Sequence, residues 1–162
     1  MATNLQFIKK ESADNVSSLT VTDMFSAQYD VYEVFLRGNG SQNVGSITAE
    51  FLDSGGSDIA QGAYDFATLR MKPSSAFDDV YGENGNSFEM VYTSASDKDF
   101  GIKMTVFNPF SSSTYTFATI QAMSAYGAKG ITVAKSTTSA TSMKFYANQN
   151  YTPINVSVYG VK

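Results

Sequence analysis

Any catalytic chemistry in this chain has to come from carboxylates, because the sequence contains no histidine and no cysteine. A Ser-His-Asp or Cys-His arrangement cannot be built without them, nor can the usual ligand sets of zinc, haem or iron–sulfur clusters. Paired Asp and Glu side chains could still hydrolyse a glycosidic bond by acid–base chemistry. The acidic residues that lie close together in sequence are Asp53 with Asp58, Asp78 with Asp79, and Asp97 with Asp99. We interpret them as solvated turn residues, since no pattern around them predicts the apolar pocket that a catalytic acid needs.

Two loop segments resemble ligand-binding loops only in composition. The loop from Asp53 to Asp58 could bind calcium through carboxylate and backbone oxygens. It lacks the spacing of an EF-hand and the glutamate that closes one, so a hairpin loop is the preferred interpretation. The Gly38-Asn39-Gly40 segment is not a phosphate loop, because neither the Walker A lysine nor a following helix is present. We therefore expect no cofactor and no resident metal.

Exposed aromatic side chains are the remaining candidates for ligand contacts. They are abundant, with 12 Phe, 10 Tyr and no Trp. Sugar-binding modules stack hexose rings on such side chains, with Trp the favoured platform, so the lack of Trp weakens this interpretation without excluding it. The aromatic residues that fall near predicted loops are Tyr81, Phe110, Tyr126 and Tyr151. Each could instead pack its own loop, and both interpretations stay open at this point.

Two segments are candidates for protein docking. In the Asn108–Tyr115 loop, Pro109 fixes the backbone and Phe110 is presented among serines, with Tyr115 at the end of the segment. The alternative for Phe110 is that it closes one end of the core. The Leu5–Lys10 segment, which carries Leu5 and Phe7, could pair with another chain along a sheet edge.

The charge balance argues against nucleic acid as a partner. With 11 basic and 15 acidic residues, the formal net charge is -4, which provides no electrostatic footprint for a phosphate backbone. Only 16% of residues are charged, against about 25% in most soluble domains. The sequence contains no run of about 18 apolar residues, so we expect no membrane insertion. The N-terminal residues lack a positive segment followed by an apolar run, so we expect no signal peptide and synthesis in a cytoplasm.

Alternation of polar and apolar residues predicts a sheet-rich fold. The segments with strand character are Leu5–Lys9, Ser17–Thr22, Val31–Arg37, Ser46–Leu52, Tyr64–Met71, Ser87–Tyr92, Gly101–Phe107, Tyr115–Met123, Ile131–Ala134, Met143–Ala147 and Ile154–Tyr159. Gly- and Asn-rich turns separate them. About ten short strands with such turns predict an all-β, antiparallel β-sandwich, with a jelly roll as one form it could take. One domain would span residues 1–162. We expect Pro73–Asn86 to be a loop with a helical turn around Ala76–Val80.

The same alternation predicts which side chains form the core. The expected buried residues are Ile47, Phe51, Phe88, Met90, Ile102, Met104, Val106, Phe117, Ile154, Val156 and Val158. Their neighbours that should face away are Thr48, Glu50, Glu89, Lys103 and Ser157. Tyr115–Met123 is apolar on both faces, which indicates a central strand or one that faces a second subunit.

Three segments together carry a family resemblance. They are ADNVSSLTVTDMF at Ala13–Phe25, NPFSSSTYTF at Asn108–Phe117, and VSVYGVK at Val156–Lys162. In these segments the chain resembles a group of small β-rich virion proteins common in marine tailed phages. The same pattern is similar to C-terminal modules of some phage tail fibres. The resemblance brings no catalytic residue with it.

The resemblance implies a phage virion surface protein without enzymatic activity, either a capsid decoration or a tail or fibre component. Its expected partners are other virion proteins, a major capsid or tail protein, and copies of itself arranged by the symmetry of the particle. The alternative function is a carbohydrate-binding, receptor-recognising module of a tail fibre, for which a host surface glycan would be the ligand. A small hydrolase that uses paired acids is a third and weaker hypothesis.

Overall fold

Alternating residues form β-strands along nearly all of the chain that the computed structural model describes, namely residues 4–40, 45–72, 77–93, 99–124 and 126–162. Within these ranges there are eleven strands and no helix, which confirms the expected all-β class. The strands are β1 (Leu5–Ala13), β2 (Val16–Val21), β3 (Val31–Gly40), β4 (Ser46–Leu52), β5 (Tyr64–Met71), β6 (Asp78–Gly85), β7 (Phe88–Tyr92), β8 (Asp99–Phe107), β9 (Thr116–Met123), β10 (Gly127–Ala134) and β11 (Ser142–Val161). Among the described residues there is no helix with the length and apolarity that crossing a bilayer requires.

The sandwich is one antiparallel sheet that folds over on itself into two layers, and the long strand β11 belongs to both layers. Residues 142–146 of β11 pair with β2 on one side and β4 on the other. Residues 154–160 pair with β1 and β3 instead. The large layer therefore has the order β1-β11-β3-β8-β9-β10-β5-β6, and the small layer has the order β2-β11-β4-β7. Two successive strands, β1 then β2, follow β11 along its whole length.

Two of the left-handed backbone conformations lie where the chain passes between the layers. Asn15, between β1 and β2, has a φ of 55°, and Gly45, just before β4, has a φ of 68°. Such angles are accessible to Gly and, at modest cost, to Asn. At these two positions, where the chain bends from one layer to the other, the sequence thus has a residue type that tolerates a positive φ.

The core fills the space between the two layers. Phe51 of β4, Tyr64 of β5 and Phe88 of β7 are fully buried, and their ring centroids lie 5.5 to 6.4 Å apart. Burying each such side chain contributes about 1.5–3 kcal/mol to folding. The Tyr64 hydroxyl donates to Asp58 Oδ1 at 2.7 Å and accepts from the Phe51 N–H at 2.8 Å. This aromatic cluster joins the large layer to the small one.

The predicted core is confirmed except at Phe117, which is 45% exposed. The register of β9 is the opposite of the expected one. Its inward residues are Thr116, Ala118, Ile120 and Ala122. Strand β7 lies directly against β9 across the core, so small inward side chains fit there and the phenylalanine faces outward. Our expectation that both faces of this strand are apolar holds for the outer face, which carries Phe117 and Met123.

Two further expectations are wrong. Glu89 does not face solvent: it is 9% exposed and forms an ion pair with Arg70 of β5, while the Ser46 hydroxyl donates to it at 2.5 Å. A buried carboxylate is tolerated because it is paired in this way. The Pro73–Asn86 segment contains strand β6 in place of the expected loop and helical turn, although Pro73 and Ala76 lie outside the described residues. Because β6 is composed mostly of polar residues and glycine, its sequence shows no clear alternation of polar and apolar residues.

Candidate binding surface

The outer face of the large layer carries most of the exposed apolar side chains. Of the twelve large apolar side chains exposed among the described residues, nine project from this face. They are Leu5, Phe7, Phe35, Leu69, Met71, Tyr81, Phe117, Met123 and Ile131. The outer face of an antiparallel sheet is ordinarily polar. A large exposed apolar surface on a folded protein marks an interaction site.

One part of this face is an apolar patch, which we define as Tyr81, Phe107, Phe117, Ile131 and Val133. Phe117 lies directly opposite Phe107 on one side and Val133 on the other. Tyr81 and Ile131 both face Ala67, whose small side chain leaves a depression of about 490 Å³ between them. Tyr81 is 73% exposed and Ile131 61%. The patch therefore offers large apolar side chains around a shallow pocket.

A second part of the face is a cationic groove, which we define by Lys10, Arg37, Lys103 and Lys129, on β1, β3, β8 and β10. The groove has a volume of about 750 Å³, and no Asp or Glu lines it. Gly101 lies at its floor, and an added Cβ there would meet nothing within 4 Å. The groove runs across the strands on the half of the face away from the Asn108–Tyr115 loop.

Three of the four described cations that lack acidic partners lie in the groove, and the fourth is Lys162. Lys10, Arg37 and Lys129 form no ion pair within the described ranges. Lys103 lies 3.3 Å from a carboxylate oxygen of Glu33 and 5.9 Å from the centroid of the Phe35 ring. The cations that pair with carboxylates elsewhere in the described chain are Lys9, Arg70, Lys72, Lys135 and Lys144. The groove is thus a locally positive region of an acidic protein.

The Asn108–Tyr115 loop is held by its own hydrogen bonds. The Ser111 hydroxyl accepts from the Ser113 and Thr114 N–H groups at 3.2 and 3.1 Å. Phe110 is 36% exposed and Tyr115 is 44% exposed, so both are accessible. The Phe110 carbonyl accepts from the Ser139 hydroxyl at 2.9 Å. This loop is therefore a rigid end of the sandwich that displays two aromatic rings.

The N-terminal strand lies at an edge of the large layer, as its docking role would require. Leu5 is 43% exposed and Phe7 is 54% exposed. β1 pairs with β11 on one side, and no further strand pairs with it among the described residues. Phe7 contacts the ring of Tyr159 edge-on at 5.6 Å.

The three other aromatic residues that were candidates for ligand contacts differ in their exposure. Tyr81 is exposed but lies within β6 and not in a loop. Tyr126 is half-buried, stacked on Tyr92 with centroids 6.1 Å apart, and Lys72 Nζ lies 5.6 Å from its ring centroid. Tyr151 is fully buried in β11, so its assignment as a loop contact is wrong. The alternation that would have revealed it is broken by the polar residues 148–150.

Asp78 and Asp79 do not form a catalytic dyad. Asp78 and Asp79 are successive residues of β6 and point to opposite faces. Asp78 lies 2.7 Å from Lys72 Nζ, and this contact lowers the pKa of the Asp78 carboxyl. Asp99 accepts from Asn39 Nδ2 at 2.7 Å, while Asp97 lies outside the described residues.

The loop proposed for calcium uses its carboxylates to fix its own turns. Asp53 Oδ1 accepts from the Gly55 and Ser57 N–H groups at 2.8 and 2.9 Å. Asp58 Oδ1 accepts from the Ala60 N–H at 2.9 Å as well as from Tyr64. These are turn-forming side-chain bonds typical of Asp. Acidic side chains of the described chain do not gather in threes or more around a point that could hold a metal ion.

Comparison with known proteins adds no family. No protein-family model and no curated protein matches the chain. Among solved structures, a fructofuranosidase of Schwanniomyces occidentalis is 9% identical with a TM-score of 0.29, over 99% of this chain and 35% of that one. The NLP core of Drosophila is 7% identical with a TM-score of 0.29, over 98% and 97%. Scytalido-glutamic peptidase is 13% identical with a TM-score of 0.26, over 91% and 65%. Similarity at these TM-scores does not bear on function.

Proposed function

We propose that the chain is a non-enzymatic surface protein of a phage virion, made in the host cytoplasm, which docks on another virion protein through the apolar patch. The exposed patch is the observation that carries this proposal. The resemblance of the Ala13–Phe25, Asn108–Phe117 and Val156–Lys162 segments to phage virion proteins supports it. A capsid or tail protein with a complementary apolar surface is the partner.

The patch has the chemistry that docking needs. Transfer of an exposed apolar side chain into an interface contributes up to about 1.5–3 kcal/mol, and Tyr81, Phe117 and Ile131 are available for this. Aromatic residues are enriched at the centres of interfaces, whereas charged residues are depleted there. A standard interface buries about 800 Å² on each partner, so the contact would extend beyond the patch. Phe110 and Tyr115 are exposed in the loop that joins β8 to β9, between Phe107 and Phe117 of the patch along the chain, and are available for such a contact.

The test is the substitution Ile131→Lys, which puts a charge at the centre of the patch. Thr20→Lys is the matched control, because Thr20 is an exposed β-branched residue on β2 of the small layer. We expect both variants to fold with melting temperatures near that of the wild type. Ile131→Lys should reduce incorporation into particles at least about tenfold, the equivalent of losing one well-buried anchor, while Thr20→Lys incorporates normally.

Two results would overturn this assignment. Normal incorporation of Ile131→Lys would remove the patch from the docking surface. A wild-type oligomer in solution that Ile131→Lys dissociates would assign the patch to a contact between copies of this chain, and not to a different virion protein. Sedimentation velocity of both proteins distinguishes these cases.

A second candidate function, recognition of a host-surface carbohydrate, is favoured by the cationic groove. It is compatible with docking, since the groove and the patch occupy different halves of the same face.

A further inference from the structure

We propose that the cationic groove binds a linear acidic polysaccharide that carries sparse carboxylate or sulfate groups. The ligand would lie across the strands of the large layer, with its anionic groups on Lys10, Arg37, Lys103 and Lys129. This inference goes beyond the docking role and does not depend on it, because the groove lies on the other half of the face.

The distribution of charge is the first support. A chain with net charge -4 has acidic residues in excess, yet none lines this groove. Three of its four cations have no acidic partner within the described ranges, although five other cations of the molecule do. Like charges that share a groove repel one another, so the arrangement lowers stability unless an anion occupies it. The groove is complementary to a polyanion.

The spacing of the cations indicates how densely that polyanion is charged. Neighbouring strands lie about 4.8 Å apart. Lys129 on β10 and Lys103 on β8 are two strands apart, which places their backbones about 10 Å from each other. Lys103 and Lys10 are three strands apart, about 14 Å. Lys129, Lys103 and Lys10 lie in one row across the sheet, and Arg37 lies in the next row. A polymer with one anionic group in every two sugar units fits the row of three lysines better than a densely charged polymer.

Gly101 provides the room for the ligand. It lies in β8 directly opposite Met123 of β9 and Arg37 of β3, and a side chain there would meet nothing within 4 Å. Glycine weakens a strand by about 0.5–1 kcal/mol relative to alanine, and its presence in a strand often marks the close approach of a ligand. The apolar side chains of Phe35, Met71 and Met123 line the groove and can contact the C–H faces of sugar rings.

Nucleic acid fits the same groove less well. Duplex DNA carries one charge per about 1.7 Å, far denser than this row of cations. Single strands bind through stacking of bases on free aromatic rings. The aromatic residue that lines the groove is Phe35, and its ring already lies against Lys103 and Tyr159. The observations therefore favour the polysaccharide.

The binding experiment titrates the purified full chain with four polymers. Hyaluronate carries one carboxylate per disaccharide and κ-carrageenan one sulfate per disaccharide, so together they distinguish the two anionic groups. Dextran is the neutral polysaccharide, and an oligothymidylate is the nucleic acid. We expect binding to at least one of the two acidic polysaccharides and none to dextran. Equal binding to dextran, tighter binding to oligothymidylate, or no binding to either acidic polysaccharide would overturn the proposal.

Two variants test whether the groove is the site. Gly101→Leu fills the floor without changing charge, and its backbone does not require a positive φ. The triple variant Lys10→Ser/Arg37→Ser/Lys129→Ser removes the unpaired cations. The matched control Lys135→Ser/Lys144→Ser/Lys162→Ser changes the net charge equally outside the groove. We expect each groove variant to weaken binding at least about tenfold. The triple variant removes charge-assisted contacts, which are the strong ones, and Gly101→Leu occupies the space that the ligand needs. The control should stay within about twofold of the wild type.

Melting temperatures show whether each variant is folded before binding is measured. Wild-type affinity of folded Gly101→Leu would overturn the site even if the triple variant binds weakly, since a diffuse charge effect would then explain the loss. An equal loss in the control triple variant would lead to the same conclusion. Failure of these experiments leaves the docking proposal intact, because that proposal is measured on particles with a substitution in the apolar patch.

Discussion

Two buried tyrosine hydroxyl groups, those of Tyr64 and Tyr151, differ in whether they form hydrogen bonds. The Tyr64 hydroxyl is satisfied by Asp58 and Phe51, so its burial costs little. The Tyr151 hydroxyl is buried without a hydrogen-bond partner within the described residues. Burial raises the pKa of both phenols well above the ordinary value. Sequence alone identifies neither environment, since the partners come from strands that are distant along the chain.

Tyr151→Phe should therefore change the response of the protein to alkaline pH. Above about pH 10 the unfolded phenol loses its proton while the native one keeps it. The native state then binds more protons, so the free energy of unfolding falls by about 1.4 kcal/mol per pH unit for each such tyrosine. With Tyr151 removed, the slope should be less steep by the contribution of one tyrosine, while Tyr64 and Tyr146, whose pKa values burial also raises, keep their contributions. At pH 7 the variant should be as stable as the wild type or up to about 1 kcal/mol more stable, because an unpartnered group is gone.

Urea unfolding at pH 8, 10 and 11 measures this slope. Phe100→Leu serves as the control, because it alters the same ring pair, 5.8 Å between centroids, without removing an ionisable group. It should lower stability at every pH and leave the slope unchanged. A Tyr151→Phe slope equal to that of the wild type would show that Tyr151 does not stay protonated in the native state.

At the scale of elements, alternation predicted the strands whose two faces differ clearly in polarity. It failed where the faces are similar. β6 has polar residues on both faces, so its pattern predicts a loop. β9 has apolar residues on both faces, so its pattern predicts the opposite register. The inward alanines of β9 are explained only by the contact with β7, which pairs with a distant strand. The groove was missed for a related reason, because its four cations come from four strands.

The register of β9 can be tested with substitutions on its two faces. Phe117→Thr should cost less than about 1 kcal/mol, since the ring is nearly half exposed and threonine suits a strand. Ala118→Leu should cost about 1–3 kcal/mol, because the added carbons must fit between β9 and β7. Thr119→Leu is the control, an enlargement on the exposed face of the same strand. Chemical denaturation measures all three. A cost of about 3–5 kcal/mol for Phe117→Thr, typical of a buried phenylalanine, would contradict the register.

At the scale of the whole molecule, the folded sheet leaves one broad face open. The small layer covers the inner side of the large layer, and the outer side carries both the apolar patch and the cationic groove. Composition predicts a weakly charged protein with a net charge of -4, but that overall charge does not reveal that one groove is locally positive. Spatial separation of apolar and cationic groups on this face allows two different partners to be bound by one sheet.

This separation predicts opposite salt dependences for the two activities. Raising NaCl from 0.15 M to 1 M shortens the Debye length from about 8 Å to 3 Å, so polysaccharide binding should weaken at least about tenfold. Docking on the particle through apolar surface should change by less than about twofold over the same range, since it does not rely on charge attraction. Ile131→Lys should lose docking and retain polysaccharide binding, whereas Gly101→Leu should do the reverse. Particle incorporation and polysaccharide titration, each measured at both salt concentrations, provide the comparison. Salt-sensitive docking that Gly101→Leu also abolishes would mean that the groove itself holds the particle, and the two surfaces would then be one site.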